Sequence, residues 1–389
     1  MMNFNALDRY LDSFCSEKNV PGCGISVSLR GETVHTYTTG YADVARGIPF
    51  AMDTLLNLYS ASKVSTVTAG MRLVERGLLD LGAPVARYLP EAAGITVRTE
   101  DGGAVPAQNT MLVEHLFSMS AGLTYDTHSP AMERLMQQTD GAPSLQQVAQ
   151  TLLREPLAFE PGTRFCYSMC HDVLGAVMEA ACGLPLDELM QKEVFDPLGM
   201  KDTTFRLRPE QRVRMAPHYL HYSSRTRQAE SVFLKERMDM GLGSAYLSGG
   251  GGLISCVQDY AKLAAALANG GRLADGTVFL KPESIAQMQK NRLATEQSKV
   301  DFEQMGGWSK AGYGYGLGVR TLLDPERNNA LSRRGEFGWD GMLGCYLLAD
   351  PASGVGIFYA QHEEGTRWYE WHGLMRNLAY APIVACEGC

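Results

Sequence analysis

Ser60 and Lys63 stand one helical turn apart in the segment Tyr59-Ser60-Ala61-Ser62-Lys63-Val64. Side chains three positions apart on a helix project from the same side, and a hydroxyl beside an amine suits a covalent catalyst. The N-terminus of a helix stabilises negative charge as it develops, and a lysine taken out of water gives up its proton more readily. The neutral amine can then act as base for the serine, which attacks a carbonyl carbon and carries the acyl group. A plain helix cap is the competing reading, for which Ser60 or Ser62 would serve equally well.

Two further stretches have the residue types such chemistry needs. Tyr167, in Phe165-Cys166-Tyr167-Ser168-Met169-Cys170-His171-Asp172, follows a Pro-Gly loop and stands just ahead of a helix. A tyrosine hydroxyl can pass protons between a serine and a leaving group; a half-buried packing role is the alternative. The run Gly335-Glu336-Phe337-Gly338-Trp339-Asp340-Gly341-Met342-Leu343-Gly344 precedes a strand. Its glycines let backbone approach a ligand closely, and a strand-edge N–H can supply half of an oxyanion hole. Seen alone, the run also reads as a glycine-rich bend.

These candidates need a scaffold. Apolar residues at Val64, Val67, Met71, Val74 and Leu78 predict a helix behind Ser60 with one buried stripe. Gly24 to Leu29 and Thr33 to Thr39 read as a hairpin turning through Arg30, Gly31 and Glu32. Gly314 to Thr321, Gly344 to Ala349 and Gly354 to Ala360 read as strands near the other end. Between them, Val113 to Phe117, Leu145 to Leu153, Asp172 to Ala181, Leu186 to Val194 and Ala261 to Ala268 have helical spacing. Two last helices are expected around Glu363 to Ala379. The pattern predicts an α/β (α+β) fold: an antiparallel sheet from both chain ends, residues 1–75 and 245–389, flanked by helices, with a mainly helical domain inserted over 76–244. The catalytic cleft is expected between the two.

Composition excludes several classes of function. The 389 residues include 35 Lys and Arg against 43 Asp and Glu, a net charge of −8, which gives no basic footprint for nucleic acid. No apolar run is long enough to span a membrane, and the N-terminus has neither the apolar core nor the cleavage site of a signal peptide. Nine scattered cysteines suit a reducing cytoplasm, and the closing Cys386 and Cys389 lack partners for a zinc site. No Gly-x-Ser-x-Gly elbow or His-Glu-x-x-His pair occurs, and His218 with His221 lacks a third metal ligand. Gly249 to Gly252 reads as a tight packing turn. No cofactor and no metal are expected.

Together, Ser60-x-x-Lys63, Tyr167-Ser168 with Asp172-Val-Leu-Gly175, and Trp339-x-Gly341 resemble the serine β-lactamase and penicillin-binding protein superfamily. The resemblance is nearest to the class C β-lactamase branch and, within it, the family VIII carboxylesterases. His115 to Leu123, Phe195 to Phe205 and Gly249 to Ser255 extend it along nearly the whole chain. It implies that Ser60 is acylated, that Lys63 is its base, and that Tyr167 is a second proton carrier. The implied oxyanion hole is the backbone N–H groups of Ser60 and Met342.

Trp339 and Asp340 stand where related enzymes keep a lysine and a hydroxyl for a substrate carboxylate, and Met169 stands where they keep an amide. These departures turn the expectation from penicillins toward small neutral esters, with Trp339, Asp340, Gly341, Met169 and Tyr125 as substrate contacts and Tyr313 and Tyr315 as further lining. If Asp340 faces substrate it would attract an ammonium, which suits a D-aminopeptidase or amidase; if it pairs with an arginine such as Arg333 or Arg334, it does not. Acyl transfer is a further outcome of the same acyl-enzyme, and a non-catalytic binding domain is the reading from another class. The expected partner is a small ester or amide, and a homo-oligomer is left open.

Overall fold

Alternating side chains at the two ends of the chain build one eight-stranded antiparallel sheet. Its strands are β1 (Gly22–Leu29), β2 (Glu32–Asp43), β3 (Ile48–Pro49), β4 (Tyr313–Tyr315), β5 (Arg320–Leu322), β6 (Phe337–Asp340), β7 (Tyr346–Asp350) and β8 (Val355–Gln361). Their order across the sheet is β4-β5-β6-β7-β8-β1-β2-β3, so the termini meet where β1 pairs with β8, Ile25 opposite Tyr359. The computed structural model describes residues 2–220, 230–231, 241–305, 310–365 and 368–387; His221 and Cys389 lie outside them.

The helices that position the site are α1 (Asn5–Glu17), α2 (Ser62–Glu75), α3 (Cys170–Cys182), α4 (Val257–Ala268) and α5 (Trp368–Glu387). Because strand side chains alternate between faces, Ile25, Val27, Ile357 and Tyr359 pack with Leu7, Leu11 and Phe14 of α1 and with Tyr380 and Ile383 of α5. On the other face, where α4 lies, Phe358 packs on Tyr260 at 4.9 Å and glycines let the helix come close. A Cβ on Gly356 would sit 2.8 Å from the Ala264 carbonyl oxygen.

Between Asn57 and Ile254 the chain leaves the sheet for helices, and it closes back where Leu56–Asn57 pairs antiparallel with Ile254–Ser255. Helix α2 runs through the middle of the molecule. Val64, Val67 and Met71 are buried as expected, but so is every residue from Ser62 to Met71, while Leu78 lies past the helix end and is exposed. The single stripe is therefore replaced by burial all round. Gly70 lets Phe117 and Met178 close on one side, and the buried hydroxyls find partners: Ser65 Oγ donates to Tyr260 at 2.9 Å, and Thr66 Oγ1 donates to the Gly249 carbonyl at 2.6 Å.

Three local expectations change. Gly314 to Thr321 is a tight hairpin, β4 to β5, because Gly318 at φ +76° turns the chain. Within the glycine-rich third box, Phe337–Asp340 is itself a strand, β6. The C-terminal pair of helices is a single helix, α5, that includes Pro382; Glu363–Glu364 instead pairs with Tyr219–Leu220.

Candidate active site

Ser60 lies in a single 3₁₀ turn, Tyr59–Ala61, that leads directly into α2. Lys63 follows one turn later and is fully buried. Its Nζ meets three acceptors: Ser60 Oγ at 3.4 Å, the Tyr125 hydroxyl at 3.1 Å and the Gly250 carbonyl at 2.6 Å. In the neutral amine one of these three directions is the lone pair. The Gly250 carbonyl has no proton to give, so the lone pair falls to a hydroxyl, either Ser60 or Tyr125.

The four-glycine run supplies the cradle for this amine. A Cβ on Gly250 would lie 2.6 Å from Asp172 Oδ2 and 3.3 Å from Lys63 Nζ, so only a glycine lets the buried carboxylate and the lysine flank the same backbone. Asp172 is held by Tyr246 at 2.5 Å and Ser248 at 2.6 Å, both donating to Oδ1. Beside it, His171 is fully buried and pushed down to about 3, chiefly by burial. Reading Gly249 to Gly252 as a packing turn captures its tightness but not this service. The usable signal was Asp172 itself, an acidic residue on an otherwise apolar helix face.

Tyr167, just ahead of α3, places its ring centre 4.6 Å from Lys63 Nζ. Its hydroxyl accepts a hydrogen bond from Trp339 Nε1 at 3.0 Å. Tyr125 joins the group with its ring 5.6 Å from that of Tyr167; 38% of it is exposed along the cleft, while its hydroxyl reaches down to Lys63. Burial, then the nearby tyrosines and Asp172, push that hydroxyl well above its ordinary range. Tyr315 is fully buried behind the indole, edge-on at 5.2 Å, and supports the site without lining it.

Strand β6 sorts the third box. Trp339 faces Tyr167, so Asp340, one residue on, faces the other side of the sheet. There Arg320 Nη1 donates to Asp340 Oδ1 at 3.0 Å, with His372 of α5 at 3.9 Å. Burial raises the carboxyl to about 6, against the pull of Arg320. The expectation that Asp340 contacts substrate is therefore corrected, and its arginine partner is Arg320, not Arg333 or Arg334. Tyr313 lies on this rear side too, donating to Glu336 at 2.9 Å. Met169 is likewise corrected: at the start of α3 it is wholly buried in the core, its amide bonded to the Thr124 carbonyl.

Gly341 then turns the chain. A Cβ there would stand 2.3 Å from the Leu58 carbonyl oxygen, so this glycine lets the end of β6 pack on the peptide just before the Ser60 turn. Gly341 N–H bonds the Cys345 carbonyl at 2.8 Å, and the exposed Met342 comes next, its carbonyl accepting from Trp368 Nε1 at 3.1 Å. Among the described residues, Asp202, Cys256 and Asp259 form a group of metal-ligand types. Arg214 and Lys262 already pair with its carboxylates, each at 2.8 Å, and burial holds the thiol proton up to about 12.

The chain matches the family model described as Beta-lactamase over residues 7–376. Esterase EstB of Burkholderia gladioli is 30% identical over 376 residues, covering 90% of this chain and 88% of its own. Protein Rv1367c of Mycobacterium tuberculosis is 29% identical over 366 residues, covering 92% and 90%. Among solved structures, EstCE1, described as a hydrolase with promiscuous acyltransferase activity, superimposes with a TM-score of 0.77 at 25% identity, over 97% of this chain and 99% of that one.

Proposed function

Given that this chain belongs to the Beta-lactamase family and is a serine hydrolase of that fold, we propose that it is a carboxylesterase of the family VIII type, cleaving small neutral esters through an acyl-enzyme on Ser60. The carrying observation is the third box: an indole faces the reaction centre where a cation would hold a substrate carboxylate, and Asp340 is turned to the rear against Arg320. Its similarity to Esterase EstB and EstCE1 supports the same reading.

In this mechanism Ser60 Oγ attacks the ester carbonyl as its proton passes to Lys63 Nζ. The oxyanion is received by the N–H groups of Ser60 and Met342. Tyr167 returns a proton to the departing alkoxide and is reprotonated through Lys63, and water then resolves the acyl-enzyme by the reverse path. Where an alcohol replaces water the outcome is acyl transfer, an activity that the description of EstCE1 includes. The aminopeptidase reading loses its support with the placement of Asp340.

The eight described cysteines are free thiols, which supports a reducing, cytoplasmic setting; no described helix is long and apolar enough to cross a membrane. The test is a substrate panel: wild type should turn over p-nitrophenyl butyrate well above benzylpenicillin or D-alanine p-nitroanilide, and Ser60→Ala should turn over none of them. Preference for the anilide or the penicillin would refute the esterase assignment.

A further inference from the structure

The residue immediately before Ser60 has its backbone in the left-handed region. Tyr59 sits at φ +48°, a conformation in which a side chain with a Cβ clashes with the following carbonyl, and an aromatic residue stays there only where its surroundings hold it. The hold is at the far end of the side chain. The Tyr59 hydroxyl lies 3.2 Å from His218 Nδ1, the two rings meet edge-on at 5.8 Å, and both residues are buried.

His218 is itself anchored from two directions. On its N-terminal side, Ala216 N–H bonds the Leu55 carbonyl at 2.8 Å and Leu55 N–H bonds the Arg214 carbonyl at 2.9 Å. On its C-terminal side, Tyr219 N–H bonds the His362 carbonyl at 3.0 Å, in the ladder that pairs Tyr219–Leu220 with Glu363–Glu364. Its other nitrogen, Nε2, lies 3.4 Å from Glu364 Oε2 without a hydrogen bond to it. Burial keeps the ring neutral, and the tautomer with its proton on Nε2 leaves the Nδ1 lone pair to accept the Tyr59 O–H.

We propose that Tyr59 and His218 form a positioning pair, whose hydrogen bond locks the left-handed turn and thereby aims the Ser60 hydroxyl and amide for acylation. The pair acts through the backbone and rests on Ser60 being the nucleophile. Rotation at Tyr59 moves the Ser60 peptide as a unit, and two contacts leave little room for it. Ser60 Oγ is already at 3.4 Å from Lys63, and the peptide before Tyr59 is packed on Gly341, next to the second oxyanion amide. Misplacement of reacting groups by about 1 Å can cost about a hundredfold in rate.

The experiment compares full-length wild type, Tyr59→Phe, Tyr59→Gly, His218→Leu and His218→Asn. It reads kcat and KM for p-nitrophenyl butyrate, thermal midpoint, and the rate and site of labelling by a fluorophosphonate. Tyr59→Phe keeps the ring but not the hydroxyl, Tyr59→Gly relieves the strain but has no anchor, and His218→Asn restores an acceptor near the Nδ1 position. The pair predicts that Tyr59→Phe, Tyr59→Gly and His218→Leu each lose about tenfold to a hundredfold in kcat with KM within about twofold. Labelling of Ser60 should slow by the same factor, and His218→Asn should recover most of the rate. Labelling on Ser60 with kcat unchanged in Tyr59→Phe and His218→Leu would overturn the pair alone. So would full activity in Tyr59→Gly, or losses that track only the thermal midpoint without recovery in His218→Asn. A wild-type label on another residue would overturn the nucleophile and the pair together.

Discussion

The indole N–H of Trp339 donates to the Tyr167 hydroxyl at 3.0 Å and ties the third box to the second across 172 positions of sequence. The tyrosine oxygen accepts this bond, and its ring centre lies 4.6 Å from Lys63 Nζ. The indole thus does for Tyr167 what the Gly250 carbonyl does for Lys63: it holds the polar tip of a proposed proton carrier by one hydrogen bond.

If the proposed roles hold, removing Lys63 or Tyr167 should cost more than removing the indole that guides Tyr167. Lys63→Ala and Tyr167→Phe should each lose at least about a hundredfold in kcat, the usual scale for acid–base groups. Trp339→Phe keeps a ring but loses one neutral hydrogen bond, of about 1 kcal/mol, so a loss of roughly fivefold to tenfold is expected. Steady-state kinetics on p-nitrophenyl butyrate reads both, and a larger loss from Trp339→Phe than from Tyr167→Phe would contradict the ordering.

Gly250 has no room for a methyl group, since its Cβ would press on Asp172 and Lys63 together. Gly250→Ala should destabilise the fold by about 1–3 kcal/mol, as overpacking does. It should also lower kcat by tenfold or more as Nζ is displaced, roughly what a small misplacement costs. Urea unfolding and kinetics on the same preparation check this; wild-type kcat would show that the cradle tolerates the shift.

Asp340 should matter to stability and not to substrate choice. Replacing it by asparagine removes the nearer carboxylate of the buried Arg320 guanidinium and leaves Glu336 at 3.8 Å as the other, beside the Leu347 carbonyl at 3.2 Å. Breaking a buried pair in this way costs about 3 kcal/mol. Chemical denaturation should show that loss while the ratio of butyrate ester to D-alanine anilide turnover stays constant. A changed ratio in a protein of unchanged stability would return Asp340 to the cleft.

Acid should weaken the fold. Burial holds His171, His362 and His372 down to about 3 and His218 to about 4, from an ordinary 6.5. Each is neutral when folded and takes a proton only on unfolding, so its stabilising contribution is complete above 6.5 and is lost as pH falls below it. Asp340 and Glu363, raised by burial to about 6 and about 8, act the other way and gain stability as pH falls. Burial also holds His115 down and raises Glu179, so depressed histidines still outnumber raised carboxyls and a net loss of stability is expected as pH falls from 6 to 5. Urea midpoints at pH 7 and pH 5 test this, and an equal or higher midpoint at pH 5 would contradict it.

What the sequence disclosed about the site depended on whether the signal was local. Ser60, Lys63 and Tyr167 carry recognisable spacing and neighbours, and the structure brings them together. Asp340 is assigned to substrate only through its match to the hydroxyl position of related enzymes; once Phe337 to Asp340 is known to be a strand, its two-residue period puts Trp339 and Asp340 on opposite faces. The service of Gly250 to Lys63 joins residues 187 positions apart, and no local pattern records that. In the fold, the small hydroxyl residues Ser62, Ser65, Thr66 and Thr68 hid the all-round burial of α2, because each looks like a solvent-facing position until its tertiary partner is in place. Glu363 and Glu364 read as the start of a helix because their strand partner, Tyr219–Leu220, is far away in sequence.

The central claim is that an acyl group passes through Ser60, and trapping that intermediate tests it most directly. Wild-type protein is mixed with p-nitrophenyl butyrate, quenched in acid within the first turnovers, digested and mapped by mass spectrometry. A single butyryl group is predicted on the peptide that contains Ser60, on the serine itself, and absent from Ser60→Ala, which should also release no p-nitrophenol above background. A butyryl group on any other residue, or wild-type turnover by Ser60→Ala, would contradict the account.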